Sequence, residues 1–589
     1  CQDTDYTLRL MIFFEKKLID LGLYSTFRNL IMSASRVLTS VEKNGLYLDR
    51  EFNNQLLETY KPKIDAARQA IYDLPRVKKF EKKYNQEKID KYIQSIEAEL
   101  EELDYNDPKD KRKIVSREQK ISNIKAGIFT TKKEQELIRP INLGSSVDLP
   151  ALMYSEEGFH FEVIKNNESG KPSTDEETLT NLRLTVKKPD SPKAIFLDRL
   201  LELRGLEKMY KTYIEGWNEK VQDDDRLHGR FLIHGTTSGR LSSAEPNAQQ
   251  IPKTSVDPNI KLQLKAPKGT LYIASDFSQA ELRIMAHLSG DETYLNAFNS
   301  GQDPHLAIAA TKYHIPYEEA LKIYEDENHP EHKIWKVRRK QAKQIAFGLI
   351  YGIGAKLLAV KLSDPKSGII VTPEEAQKEM DIFFGQHPKL KTFLKKQEKF
   401  LRKNGHLVSL FGRKRRLPQI YSNDKGEEAY ALRLALNFPC QSAASDMCLF
   451  GSILIYYLMR QGKLPSTKSV CLVHDANYQI TKPENINIWS IYEMWQIYRN
   501  PLTKPYFGFQ IDDVTMDMEF VIGRSMAEEL PFIPGYDYKK MLEPDFSVEE
   551  YMEEHKKYKH IPISEYKKRF NKQMKQYEKD FERTHGMES

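Results

Sequence analysis

The apolar and polar positions of this 589-residue chain fall into two textures. Over residues 1 to 60 apolar side chains recur at helical spacing, and LTSVEKNGLYLDREF predicts a turn at Asn44-Gly45 between helices. From 78 to 138 Lys, Glu, Gln and Asp dominate with widely spaced Ile, Leu and Tyr. This predicts a charged helical hairpin broken at Asn106-Asp107-Pro108, and a solvated excursion without chemistry is its simplest reading. Residues 140 to 230 return to helix, with PSTDEETL offering Ser173 or Thr174 as a cap and acids for the helix N-terminus. The texture then changes. KGTLYIASDF (268 to 277) and KSVCLVHDANYQI (468 to 480) are β-branched and aromatic runs bounded by turn formers, which predicts strands. Long helical stretches are predicted between them at 303 to 325, 331 to 361, 373 to 404 and 427 to 460, giving a mixed α/β (α+β) chain. Beyond 530 the chain is polar. Tyr566, Phe570, Met574, Tyr577 and Phe581 form an apolar stripe there, which reads as packing before it reads as a partner or DNA contact.

Composition adds limits rather than a function. With 40% hydrophobic and 11% aromatic residues the chain is no disordered polymer, and its length predicts several subdomains. Ninety Lys and Arg nearly balance 84 Asp and Glu, leaving +6, so clustering of charge matters more than its total. Cys1, Cys440, Cys448 and Cys471 lack metal-binding spacing, which points to neither a disulfide framework nor a zinc site and fits a reducing, cytoplasmic compartment. No apolar run is read as approaching the roughly 18 residues of a membrane span, and no signal sequence opens the chain, so no membrane partner is expected. CQDTDYTLRL already looks like the interior of an amphipathic helix. The expectation is a chain that begins inside a larger design, through processing, splicing or a split gene.

Two strand ends carry acids. Asp276 follows LYIAS and Asp475 follows LVH. Carboxylates on adjacent strands suit two divalent ions about 3.5 to 4 Å apart, as in-line phosphoryl transfer requires, although an Asp at a strand end is more often an ordinary turn residue. The helix RKQAKQIAFGLIYG shifts that balance, because Arg339, Lys343, Phe347 and Tyr351 recur every four residues. Such a series keeps to one slowly drifting stripe about 18 Å long, matched to a nucleoside triphosphate: cations for phosphates, rings for sugar and base. An amphipathic helix with an aromatic core stripe is the plainer alternative. Gly348 and Gly352 count against it, since each weakens a helix interior by about 1 kcal/mol and calls for a reason such as close approach of a ligand or backbone.

The ordered series TSGRLSSAEPNAQQIP, DFSQAELR, RRKQAKQIAFGLIYG, LFGRKRRLP, RLALNFPCQ and LVHDA resembles the motifs of family A DNA polymerases, with the likeness running in pieces from residue 1 to about 530. The resemblance implies a right-hand fold with an antiparallel-sheet palm, helical fingers and a helical thumb. It implies a template-directed polymerase that extends a primer with dNTPs on primer-template DNA. Asp276 and Asp475 would hold two Mg2+ ions, replaceable by Mn2+, with the Phe277 carbonyl as a further ligand. Gln279 belongs with the nucleotide-binding group. Glu281 would exclude ribonucleotides, and Arg339 and Lys343 would bind the triphosphate. Phe347 would stack by the sugar, and Tyr351 would lie beside the nascent pair. His305 resembles a histidine near the phosphates, with a plain helix-start histidine as the other reading. Arg240, Asn247, Gln249, Arg283, Arg433, Asn437, Gln441 and His474 would contact primer, template or the minor-groove edge.

Three departures stand out. Ala476 replaces the usual Glu after the second Asp, Ala346 replaces a common Asn, and Ser238 stands where Thr usually precedes Gly-Arg. The opening resembles the last motif of a proofreading exonuclease, with Asp3 at a metal-binding position. One Asp cannot hold two metals, so an exonuclease fragment supplied separately or by splicing is the expected partner. The implied domains are an exonuclease remnant at 1–25, thumb at 26–210 with the 78–138 insertion, palm at 211–295 and 405–530, fingers at 296–404, and a charged extension at 531–589. A replicative, phage-type enzyme in the host cytoplasm, with a possible replisome factor, completes the expectation. A single-subunit RNA polymerase and a catalytically weakened DNA-binding relative are the alternatives.

Overall fold

The computed structural model describes residues 2–363, 371–499 and 501–557, so Cys1 and the 566–581 stripe lie outside the described residues. The chain divides into two compact units, one from residues up to Asn53 together with those from Trp217 onward, the other Asn54–Gly216.

The larger unit begins with helices α1 (Gln2–Asp20) and α2 (Met32–Asn44), the latter ended by Gly45 at φ 60°. The smaller unit contains the charged hairpin as α3 (Pro75–Glu101) and α4 (Pro108–Lys125), with Asp107 capping α4 by accepting from Lys109 N at 2.8 Å. The two hairpin helices are joined away from their turn by a small cluster of Ile93, Ile96 and Ile124, and the unit's main core gathers Phe159, Phe196, Leu197 and Leu200. The cap expected at Ser173 or Thr174 is instead Asp175, whose carboxylate accepts from Thr178 N at 2.7 Å; Ser173 Oγ accepts one step earlier, from Asp175 N. A carboxylate at this position also meets the positive helix end, which a hydroxyl does not.

In the larger unit a five-stranded antiparallel sheet carries the candidate chemistry: β1 (Leu271–Phe277), β2 (Lys468–Val473), β3 (Ala476–Thr481), β4 (Met518–Gly523) and β5 (Leu530–Pro531), in the spatial order β5-β4-β1-β3-β2. β1 is central, which accounts for its unbroken run of buried residues up to Ser275. The single strand expected over 468–480 is in fact the hairpin β2-β3. His474 at φ 52° and Asp475 form the turn, with Val473 paired to Ala476.

The helices follow the expected stretches but are cut where the backbone turns. α5 (Ala280–Ser289) follows β1 directly, and α6 (Pro304–Lys312) starts on the Asp303 cap. α7 (His332–Ile350) stops at Tyr351 because Gly352 takes φ 69°. Gly352 is therefore a helix terminator. A Cβ on Gly348 would meet Ile353 Cγ2 at 2.8 Å, so this glycine serves the packing of the returning chain. The close approach that the sequence reading asked for at these glycines is made here by the chain itself, through Ile353 at Gly348 and through Leu436 and Arg433 at Gly352. α8 (Lys425–Arg460) is one helix with Pro439 inside it. By length and composition α8 passes as a membrane span, which corrects the sequence expectation. Its most apolar window is 72% buried within the chain, where α5 and α2 pack on it, so it serves as a core helix. The chain after 530 is no separate polar tail up to Lys557: β5 extends the sheet, and Ile533, Tyr538, Met541 and Tyr551 join its core.

Candidate active site

β1 delivers Asp276 and the β2-β3 turn delivers Asp475. Asp276 pairs in register with Ala476, so the two aspartates sit on neighbouring backbone positions although they are 199 positions apart in the sequence. Both face an open cavity of about 850 Å³, together with Phe277, Gln279, Glu281, Lys343, Phe347, Tyr351 and His474. Burial, then the Asp475 and Glu519 carboxylates, push the Asp276 pKa up to about 6. Burial raises that of Asp475 as well, with Arg240 opposing, and Asp475 Oδ1 is buried without a hydrogen-bond partner. Two acids placed so that each disfavours the other's charge suit a divalent cation. Among the described residues no cluster of three or more His, Cys, Asp or Glu is close enough to hold a metal unaided. The pair therefore fits ions that keep open positions for water and substrate oxygens, as magnesium does.

The opposite wall is the stripe of α7. Lys343 Nζ lies 5.8 Å from the Phe347 ring centre, and Phe347 is 6.5 Å from Tyr351. One turn further up, Arg339 donates Nε and Nη2 to Asp303 Oδ2 at 3.1 and 2.6 Å. Burial raises the Asp303 pKa, but the Arg339 bond, the Leu306 N–H and the Arg339 charge outweigh it and hold this acid below the usual carboxylate range. His305 is buried, its ring 5.7 Å from Phe347 and both nitrogens without hydrogen-bond partners, and burial pushes its pKa down to about 4. It is a neutral ring behind the stripe.

Glu281, buried in the first turn of α5, accepts from Arg240 Nη2 at 2.6 Å and from the Tyr351 hydroxyl. Burial raises its pKa, and Tyr351 and Arg240 pull it back. Gln279 precedes α5 in a left-handed conformation, φ 57°, with Oε1 buried and without a hydrogen-bond partner.

Two of the residues expected at DNA, Arg283 and Gln249, are buried on internal partners. Arg283 is 6% exposed, donates to the Ser278 and Thr515 carbonyls and lies 4.4 Å from the Phe298 ring, so it ties α5 to the loop before β4. Asn247 accepts from Gln249 N at 3.0 Å, and Gln249 is itself buried against the β2-β3 turn. Arg433, Asn437 and Gln441 follow one another along α8, outside the cavity lining, with Arg433 exposed. Asp3 is exposed on α1, also outside that lining. The sequence reading missed Asp303, although Asp-Pro-His is a helix start with its cap spelled out. It also missed Lys261 and Glu529, which line the cavity as a 2.9 Å ion pair. No local signal links residues 268 positions apart.

Paired acids on an antiparallel sheet, facing a helix that lines up cations and rings, define the class of right-handed nucleic-acid polymerase folds. Within that class the chain belongs to DNA polymerase family A, whose family model matches residues 111–488. It is 32% identical over 319 residues to the thermostable DNA polymerase I of Thermus aquaticus, covering 54% of this chain and 35% of that protein. It is 32% identical over 336 residues to DNA polymerase I of Pseudomonas aeruginosa, covering 57% and 33%. The chain thus spans about a third of the length of these curated relatives. The POL domain of Pol1 from M. smegmatis, solved in complex with DNA primer-template and dNTP, shares the fold with a TM-score of 0.64. The likeness covers 87% of this chain and 73% of that one at 24% identity.

Proposed function

We propose that this chain is a template-directed DNA polymerase that adds deoxynucleotides to a primer 3′ end and releases pyrophosphate. The observation that carries the reading is the pairing of Asp276 with the Asp475 turn across one cavity from Lys343, Phe347 and Tyr351. Two magnesium ions held by Asp276 and Asp475 would supply an activated 3′ oxygen and charge neutralisation on the leaving phosphates. The chain's own groups do the rest. Lys343 and Arg339 bind the triphosphate, Arg339 after exchanging Asp303 for phosphate. Phe347 offers its face to the sugar. Glu281, fixed by Arg240 and Tyr351, crowds the place of a 2′ hydroxyl and favours deoxynucleotides over ribonucleotides. We assign the sheet of the larger unit to the palm, the helices from α6 through Pro388–Asn404 to the fingers, and the unit Asn54–Gly216 to the thumb.

Primer extension by the 589-residue chain with Mg2+ or Mn2+, offered dNTPs or NTPs in parallel, tests this. Extension with dNTPs is expected. Preferential use of NTPs would move the chain to an RNA polymerase, and no extension with either metal would make it a non-catalytic DNA-binding relative.

A further inference from the structure

We propose that Gln249 is a positioning residue that sets the β2-β3 turn and so aims Asp475, an inference that rests on the polymerase reading above. The resemblance to the family places this glutamine at DNA, but its amide is committed elsewhere. Gln249 Nε2 donates to Leu472 O at 2.5 Å, and its Oε1 accepts from His474 N at 2.9 Å. The side chain is 7% exposed. A single amide thus grips the turn on both sides of Val473 and ends one residue short of Asp475.

The turn needs such a grip. His474 holds φ 52°, a left-handed conformation that a residue with a Cβ disfavours. The hydrogen bond to His474 N acts directly on that residue. Nothing within the turn holds the Asp475 carboxylate by itself, since its Oδ1 has no hydrogen-bond partner; its direction follows from the backbone. Gln249 is fixed in turn. The short helical turn Ala248–Gln250 is tied down by Ser243 Oγ, which accepts from Ala248 N at 2.6 Å and Gln249 N at 3.3 Å, and by Asn247 Oδ1 on Gln249 N. A continuous hydrogen-bonded path therefore runs from the ribbon strand Ser242–Ala244 through the Gln249 amide to the turn that carries a candidate metal ligand. Because the side chain is buried, Gln249 would have to turn out of this seat to read a base edge, and the turn would lose its clamp.

A DNA contact and a turn clamp make different predictions. Gln249→Met keeps the length of the side chain and removes both bonds. Calorimetric Mn2+ binding to the 589-residue chain should weaken about 10-fold or more, as for a lost group that orients a metal ligand, and the single-turnover incorporation rate should fall by a similar factor. Primer-template affinity, measured by fluorescence anisotropy without metal, should stay within about twofold. Adding His474→Gly should shrink the loss of Mn2+ affinity caused by Gln249→Met, because glycine adopts the left-handed turn unaided. Should Gln249→Met not fold, Gln249→Glu keeps the acceptor for His474 N–H, loses the donor to Leu472, and carries the same expectations on metal and duplex binding. Weakened duplex binding with unchanged Mn2+ affinity would overturn the proposal, as would no change in either. A wild-type chain that binds Mn2+ through the clamped turn yet extends no primer would sink the polymerase reading and leave the clamp standing.

Discussion

On the sheet side of the cavity, Asp276 and Asp475 raise each other's electrostatic cost, and an Asp475 oxygen is buried without a hydrogen-bond partner. On the helix side, Arg339 already has a carboxylate in Asp303, Tyr351 donates to Glu281, and Glu281 is closed by Arg240. Lys343 alone of the stripe's cations has no ion-pair partner among the described residues; it lies over Phe347. The two walls are thus prepared in opposite ways. On the proposed polymerase reading, the acids are assembled at a cost that a bound cation would relieve, whereas the helix is parked on internal partners that a triphosphate would have to replace. This difference teaches where each half of the specificity comes from. The sheet selects by what it lacks and the helix by what it gives up. The sheet is rigid because β1 lies between β3 and β4. The helix side is set by side-chain exchange.

The hardest way to break this contrast is to remove an acid. Asp276→Ala and Asp475→Ala should each lower single-turnover incorporation by about 10³-fold or more, because charge developing on the transferring phosphate loses its main counterpart. Duplex affinity should stay within about threefold, since neither acid binds DNA by attraction. Near-normal incorporation in either variant would remove the sheet from the chemistry altogether.

How much of this was open to a reader of the sequence alone depends on the range over which each feature is determined. The stripe Arg339, Lys343, Phe347, Tyr351 was legible because helix periodicity is local; α7 carries its first three residues, and Tyr351 caps the helix end. The strand that ends in Asp276 was legible for the same reason. That Gly348 and Gly352 needed a reason was legible, but which reason was not, because one accepts Ile353 and the other closes the helix, facts about where the chain goes next. The 468–480 run reads as one strand because its turn residues are His and Asp rather than Gly or Asn-Gly, and the left-handed His474 is bonded to Gln249, 225 positions away, beyond any local signal. The resemblance put Arg283 at DNA, yet the Ser278 and Thr515 carbonyls and the Phe298 ring enclose it. Burial of a charge is a property of the assembled fold.

The next test separates the stripe's one unpartnered cation from its parked one. Lys343→Ala should raise the nucleotide KM about 30-fold with a smaller effect on duplex binding, since a charge-assisted contact to phosphate contributes roughly 2 kcal/mol. Steady-state kinetics over a dNTP titration checks this. An unchanged KM would mean that the cations of α7 do not meet the triphosphate.

A smaller effect sharpens the claim that the acids are assembled at a cost. The carboxyl of Asp276 keeps its proton up to about pH 6 in the folded chain and only to 3.8 ordinarily. Ionising it therefore opposes folding above pH 6, and the penalty fades as pH falls through 6 toward 3.8. Asp276→Asn should stabilise the metal-free protein at pH 8 by about 1 kcal/mol, a figure reduced because the side chain opens onto the solvent of the cavity. At pH 4 the variant and the parent should unfold together. Adding Mg2+ at pH 8 should stabilise the parent and leave the variant behind. Thermal unfolding across pH, with EDTA or Mg2+, reads all three, and a variant no more stable than the parent at pH 8 would mean that the acids are not in conflict.

The smallest effect concerns Asp303, which caps α6 through Leu306 N at 2.8 Å and holds Arg339 at 2.6 Å. Asn in its place keeps one oxygen for the Leu306 cap, turns an NH2 toward Arg339 where Oδ2 stood, and removes the negative charge. If Asp303 only orients Arg339, that loss loosens the guanidinium and the nucleotide KM rises. If Asp303 competes with phosphate for it, the loss lowers the KM, because the exchange no longer separates an ion pair that is only a quarter exposed on each side. The geometry favours competition: both donating nitrogens converge on one Asp303 oxygen, in the manner a phosphate oxygen would later take. The expected change for Asp303→Asn is a KM about threefold lower with the maximal rate nearly unchanged, since one partly screened ion pair contributes only about 0.5 to 1 kcal/mol. A higher KM would show that the helix side is preset for its ligand in the same way as the sheet side, and the contrast between the two walls would be gone.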